Sequence, residues 1–275
     1  MSGADAADND RAAARDELLD DLAAEYAALD ELLSSLSDGD WRLPTPAPGW
    51  DVRDQVTHLA FFDGAAARSV ARPQEFAAEA EQASRDHDAY HDAALEQGRQ
   101  RTPTEALVDW REQTSAFRTA AAAADPAMRC NWFVTQMGLI SLISARLMET
   151  WAHGQDVRDT VGQPPEVSDR LRHVAFLAAN AMPYAFMANG LDRPSAPVRV
   201  ELELPSGRRF IHGPSDAADR VEGPALDFCL LATQRRHRDD LELVASGPVA
   251  TAWLPIAQAF AGPPGPGRAP GQFDD

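Results

Sequence analysis

"METWAHGQDVRD", residues 148–159, is the stretch on which the reading of this chain turns. It places Glu149 and His153 four apart in what otherwise reads as a buried helix, directly after the apolar "GLISLISARL". Helical residues four apart stand one above the other, with Cβ atoms about 5–6 Å apart, so one ion can bridge such a pair. Both fall on the stripe that carries Leu142 and Ala145. An unpartnered carboxylate facing a packed interior is costly to ionise, so something cationic must compensate. Arg146, one turn earlier, would serve as a plain ion-pair partner, and on spacing alone that reading is modestly favoured over a metal.

A third donor shifts the balance. His58 sits mid-helix in "GWDVRDQVTHLAFFD", on a segment otherwise committed to core packing. A lone histidine there is commonly a core residue satisfied by a hydrogen bond. One His from one helix and a Glu-x3-His from another would nonetheless make a three-donor set of two nitrogens and one oxygen. Catalytic zinc uses such a set and keeps its fourth position open for water or substrate. The competitor is "RDHDAYHDAA", where His87 and His91 are also four apart. Its surroundings are polar on every side, so both rings are expected to face water. His173, His212 and His237 are isolated and receive no role.

Around these motifs the pattern is helical for the first two thirds of the chain. Leu18, Leu22, Tyr26, Leu29, Leu33 and Leu36 recur every three or four residues and form one apolar stripe. "SDGDWRLPTPAPGW" breaks that helix, and a second opens at about Asp51, with Val52, Val56, Leu59 and Ala66 as its apolar face. Pro73 to Arg101 is charged and weakly amphipathic, a helical segment at the domain edge. A third long helix begins at "TPTEA" with a capping-type start and carries Leu107, Trp110 and Phe117. After the "DPAMRCNW" turn the most apolar helix runs from about Gln136 to Val161. Four long helices with short links make a bundle the economical architecture. A further helix, ending or kinking near Pro183, connects the bundle to the C-terminal part of the chain.

There the period changes to two. Val198, Val200, Leu202 and Leu204 alternate with Arg199, Glu201 and Glu203 before a "PSG" turn, which reads as a hairpin. A short helix at "GPALDFCLLATQRR", a strand at "LELVAS" and a closing helix at "GPVATAWLPIAQAFAG" complete a small α+β unit. The expected division is a disordered N-terminus over residues 1–10, a helical bundle over 11–165, a connecting helix over 166–190, an α+β unit over 191–262 and a disordered tail over 263–275.

Bulk properties narrow the function classes. A net charge of −18 argues against nucleic acid, which needs clustered cations, and against anionic membrane surfaces. No stretch approaches the roughly 20 apolar residues that span a bilayer. The acidic, polar start reads as neither a secretory signal nor a transit peptide, so the expected location is the cytoplasm. Cys130 and Cys229 lie far apart in sequence and are expected to be reduced.

"TPAPGWDVRDQVTHLA" together with "ARLMETWAHGQDV" resembles the metal-binding domain of mycothiol-dependent maleylpyruvate isomerases, within the DinB-like four-helix-bundle superfamily. The family pattern of a Trp-led helix start, a His about eight residues on and a late E-x3-H-x2-D falls on Trp50, His58, Glu149, His153 and Asp156. "VRVELELPSGRRF", "EGPALDFCLLATQRR" and "LELVASGPVATAWL" are similar in order to the small C-terminal α+β domain of such proteins, which resembles sterol carrier proteins. The resemblance implies a mixed fold, a DinB-like four-helix bundle followed by a sterol-carrier-like domain. It implies one divalent metal, usually zinc, held by His58, Glu149 and His153, with Asp156 orienting a ligand ring. It also implies the low-molecular-weight thiol mycothiol as cofactor and a small electrophile as substrate, isomerised or S-conjugated by a metal-activated thiolate. Where family members show Gly-Arg after the C-terminal helix, this chain has "TQRRHR". Arg235 or Arg236 is therefore the candidate for binding an anionic substrate. A non-catalytic metal or small-molecule binder and a metal-dependent hydrolase are the competing readings on the same scaffold.

Overall fold

The computed structural model describes residues 3–133 and 135–273, and the chain divides into two units, 1–166 and 167–275. In the first unit α1 (Gly3–Ser35) buries Leu18, Leu22, Tyr26, Leu29 and Leu33 on one face. The helix begins at Gly3, so the terminus expected to be disordered is helical apart from Met1 and Ser2, which lie outside the described residues. Ala12, Ala13 and Ala14 begin a run of strong helix formers, from which the helix extends back to Gly3.

The second helix, α2 (Val52–Ala71), opens at Asp51 through a reciprocal capping box. The Asp54 amide donates to the Asp51 carboxylate at 2.9 Å, and the Asp51 amide donates back to Asp54 at 3.1 Å. Two short helices come next, α3 (Pro73–Ala83) and α4 (His87–Gly98), before α5 (Pro103–Ala123) starts from a second capping box between Thr102 and Glu105. The expected turn at "DPAMRCNW" is instead a hairpin, β1 (Arg129–Trp132) against β2 (Thr135–Gly138), pairing Cys130 with Met137 and Asn131 with Gln136. That pairing holds Gln136 in a strand, so the last bundle helix, α6 (Leu139–Thr160), begins three residues later than its periodicity suggests. In the bundle α2 packs against α5 and α6, and α1 packs against the same two helices.

The second unit begins with α7 (Leu171–Ala188), which runs past Pro183 at the loss of one backbone donor and packs on α8 (Ala225–Ala232). The predicted hairpin is present as β3 (Val198–Glu203) against β4 (Arg209–His212). β3 also pairs in parallel with β5 (Asp219–Pro224), and β6 (Val244–Ser246) completes the sheet in the order β4-β3-β5-β6. The closing helix α9 (Pro248–Trp253) is shorter than expected, because Leu254–Ile256, around Pro255, tighten into a 3₁₀ turn. Among its described residues the Pro/Gly tail forms no helix or strand, but it is not loose as expected. The Gly265 amide donates to the Gln234 side chain at 3.2 Å, the Gly271 amide donates to Asp240 at 2.9 Å, and Phe273 lies under the Arg236 guanidinium at 3.8 Å. Both cysteines are free and buried. Among the described residues no helix is long and apolar enough to cross a membrane.

One buried ion pair registers α2 against α6. Arg146 Nε donates to Asp63 at 2.8 Å, and Tyr26 Oη on α1 donates to the same carboxylate oxygen at 2.7 Å. Asp63 is fully buried and Arg146 is 2% exposed. Burial pushes the Asp63 carboxyl up from its ordinary value, against the pull of Arg146 and of its hydrogen bonds. Arg146 is thus engaged with Asp63 on α2, and the simple i, i+3 ion pair with Glu149 gives way to a cross-helix one. Removing one partner of such a pair strands the other charge. We expect Arg146→Met to lower unfolding free energy by about 3–5 kcal/mol, and Asp63→Leu combined with Arg146→Met to recover most of that. Equal destabilisation of the single and double variants in urea titrations would remove the ion pair from this role.

Candidate metal centre

Three cross-helix contacts fix the local geometry. Gln55 meets His153, His58 meets Glu149, and Asp63 meets Arg146. The order ascends on α2 as it descends on α6, so the two helices run antiparallel and face each other over this length. His58, Glu149 and His153 each turn a donor atom into one cluster, all within 4.8 Å of one another. Glu149 Oε2 lies 3.2 Å from His153 Nε2 and 3.5 Å from His58 Nε2. Ligand atoms ~2.0–2.1 Å from a tetrahedral ion stand ~3.3 Å apart, so these two edges already have the size a single zinc requires.

The far side of each imidazole is also engaged. His153 Nδ1 lies 2.5 Å from Gln55 Oε1. The Gln55 amide nitrogen donates to Thr45 Oγ1 at 2.9 Å, and Thr45 Oγ1 donates to the Trp50 carbonyl at 3.0 Å. That chain turns the amide oxygen toward the ring, where it accepts from Nδ1–H, so that a metal would take Nε2. On His58, Nδ1 lies 3.0 Å from His91 Nε2. Trp50, held just ahead of the α2 cap, stacks on His153 with centroids 5.9 Å apart and lies 5.2 Å from His58 and 5.7 Å from His91. Phe62 packs on the other side of His58 at 4.7 Å, and Phe61, Trp132 and Phe133 extend the half-buried aromatic surface.

Electrostatics fit a cation. Burial opposes ionisation of Glu149, but hydrogen bonds and charge from His153 and His58 overcome it and hold the carboxyl well below the usual range. Burial, reinforced by the neighbouring His153, pushes His58 down to about 3, so it is neutral at physiological pH. An anionic carboxylate between imidazole nitrogens is the donor state that divalent metals bind.

The predicted donors His58, Glu149 and His153 are thus brought together. Asp156 is fully buried on α6, three residues after His153, while the ring-orienting contact visible on His153 comes from Gln55. Gln55 carries no sequence signal beyond its place on the α2 face, one turn before His58. The polar surroundings of His91 in sequence predict a ring facing water, but it meets His58 instead, because α4 folds back along α2; the side chain of its neighbour His87 lies outside the described residues. Arg235 and Arg236 belong to the second unit, just after α8. Arg235 donates to the Thr233 carbonyl at 2.6 Å, and Arg236 donates to the Arg235 carbonyl at 2.7 Å.

Comparison with known proteins is specific. The family described as mycothiol maleylpyruvate isomerase N-terminal domain matches residues 22–158, and one described as wyosine base formation matches residues 194–246. Uncharacterized protein Rv0036c of Mycobacterium tuberculosis (strain ATCC 25618 / H37Rv) is 43% identical over 248 residues, covering 90% of this chain and 96% of that protein. Uncharacterized protein MT0041 of strain CDC 1551 / Oshkosh matches to the same extent, 43% over 248 residues. Crystal structures of the mycothiol-dependent maleylpyruvate isomerase, one of them of a point mutant, share the fold at a TM-score of 0.57 and 14% identity, over 86% of this chain and 95% of theirs. The chain belongs to the mycothiol maleylpyruvate isomerase-like family, as a homologue of the Mycobacterium tuberculosis protein.

Proposed function

We propose that this protein is a divalent-metal enzyme of thiol chemistry, which isomerises or S-conjugates a small electrophile with mycothiol. The observation that carries the reading is the donor set itself: three side chains from two helices within 4.8 Å of one another, with both Glu149 edges of the length a tetrahedral site requires and each imidazole met by a partner on its far nitrogen. His58, Glu149 and His153 would hold the ion, and zinc suits two imidazoles and a carboxylate. Bound there, a metal with an open position lowers the pKa of a coordinated thiol and presents it as a nucleophile.

The chain's own residues supply the setting. Glu149 contributes the single negative charge among the three donors, and Gln55 keeps His153 in the tautomer that directs Nε2 inward. Trp50 and Phe62 flank the donors with apolar rings, which keep water from competing and offer a surface for the carbon skeleton of an electrophile. Asp156, buried one turn beyond His153, belongs to the same proposal as a residue that orients a ligand ring.

Metal content of the purified protein tests the centre. His58→Ala and Glu149→Ala should each lose the bound metal, whereas Gln55→Leu should keep it with affinity lowered about 10–100-fold. Unchanged metal content in all three would end the assignment. Turnover of a panel of electrophiles by the metal-loaded protein, with and without mycothiol, tests the chemistry. Thiol-dependent conversion is expected. Conversion without thiol would favour the hydrolase, and metal binding with no conversion would favour a non-catalytic binder.

A further inference from the structure

We infer that His91, on the helix α4, is a positioning residue for the metal ligand His58, which makes the acidic segment before α5 a working part of the centre. The inference rests on the metal site proposed above. His58 turns Nε2 toward Glu149 at 3.5 Å and Nδ1 toward His91 Nε2 at 3.0 Å. A neutral imidazole carries one ring proton, so an ion on Nε2 obliges the proton to sit on Nδ1. The His58 side chain is only 14% exposed, so that N–H needs an acceptor, and His91 Nε2 stands at hydrogen-bond distance to be one. His91 is therefore to His58 what Gln55 is to His153.

The placement of His91 is built rather than incidental. The neighbouring Tyr90 hydroxyl donates to Glu79 on α3 at 2.9 Å, and Arg68 of α2 grips the same carboxylate with two hydrogen bonds of 2.9 and 2.7 Å. At the other end of α4, Arg99 forks onto Asp54 of α2 at 2.9 and 3.0 Å, and Arg53 donates to the Arg99 carbonyl at 2.7 Å. Gly98 lies so close to α2 that a Cβ there would collide with Thr57. With both ends of α4 tied to the helix that carries His58, the His91 ring meets His58 in a fixed register. Its Nε2 faces the nitrogen of His58 that points away from Glu149. It stands outside the donor cluster found among the described residues, so it orients a ligand rather than adding a fourth.

The test is zinc affinity of the full-length protein, measured by competition with a chromogenic chelator, for the parent, His91→Phe, His91→Leu, His91→Gln and His58→Ala. We expect both acceptor-free variants to bind zinc about 10–100-fold more weakly and the Gln variant, which restores an acceptor oxygen, to recover most of the loss. Melting temperatures without metal should match the parent, and the visible spectrum of the cobalt-loaded variants should keep the parent's coordination number. In the 15N-labelled, zinc-loaded parent the His58 Nδ1 proton should be protected from exchange, and in the Phe and Leu variants that protection should be lost. Parent-like affinity in those two variants, alongside metal loss in His58→Ala, overturns the role of His91 and leaves the centre standing. A lowered coordination number also overturns it, by making His91 a ligand. Metal retention in His58→Ala overturns the centre itself.

Discussion

The contact between Asp63 and Arg146 is the constraint on which the rest of the first unit depends. Both charges are out of water, so the pair is a poor source of net stability, its attraction largely offset by desolvation. What it supplies is register. A slip of one residue along an α-helix moves a side chain ~1.5 Å along the axis and ~100° around it. Either displacement would carry His58 away from Glu149 and Gln55 away from His153. A slipped pairing would also part the two buried charges, so the helices cannot take the alternative arrangements that an all-leucine interface would tolerate. Tyr26 extends the same lock to α1, so three of the four bundle helices meet at one carboxylate.

Once α2 and α6 are in register, the electrostatics of the centre depend on what is placed beside Glu149. Its hydrogen bonds come from imidazole nitrogens, while the Arg146 guanidinium, which also feels its charge, is hydrogen-bonded to Asp63. A fixed cation there would neutralise the carboxylate and repel a metal; imidazoles can hydrogen-bond the anion in the metal-free site and give up those protons to an incoming ion. The net charge of −18 says nothing of this, because the acidic residues are spread over solvated surfaces.

Legibility in the sequence tracks the range of the interaction. The helices carrying the donors are readable because their apolar period is local, and α2 opens at Asp51 as its reading predicts. The three donors are readable because two share a helix turn and the third comes after a Trp-led start. His91 is not, because its own surroundings in sequence are polar and only the return of α4 along α2 brings it to His58. Gln55 escapes notice for a related reason: a glutamine has no spacing signature, and its role appears only when Thr45 fixes which way its amide points. The β1–β2 hairpin is not legible because its first strand lies in a Pro-led stretch that reads as a turn and its second in the lead-in to an apolar helix, and the tail's backbone donors find partners that composition does not reveal.

The two orienting partners also bear on chemistry. Metal-bound histidines often pass their second ring proton to a carboxylate, which makes the imidazole more basic and the metal less electrophilic. Here the contacts seen on the far nitrogens are an amide oxygen and a ring nitrogen, neither of them a carboxylate. Ligands so supported give up less electron density, and with Glu149 as the one anionic donor an ion in this place retains most of its positive charge. That favours lowering the pKa of an incoming thiol over merely holding the fold together. A structural site has no use for such retained charge, and would be expected to surround its ion with thiolates or a fourth protein ligand. The uncharged amide of Gln55 is therefore an argument for the proposed chemistry drawn from outside the donor set.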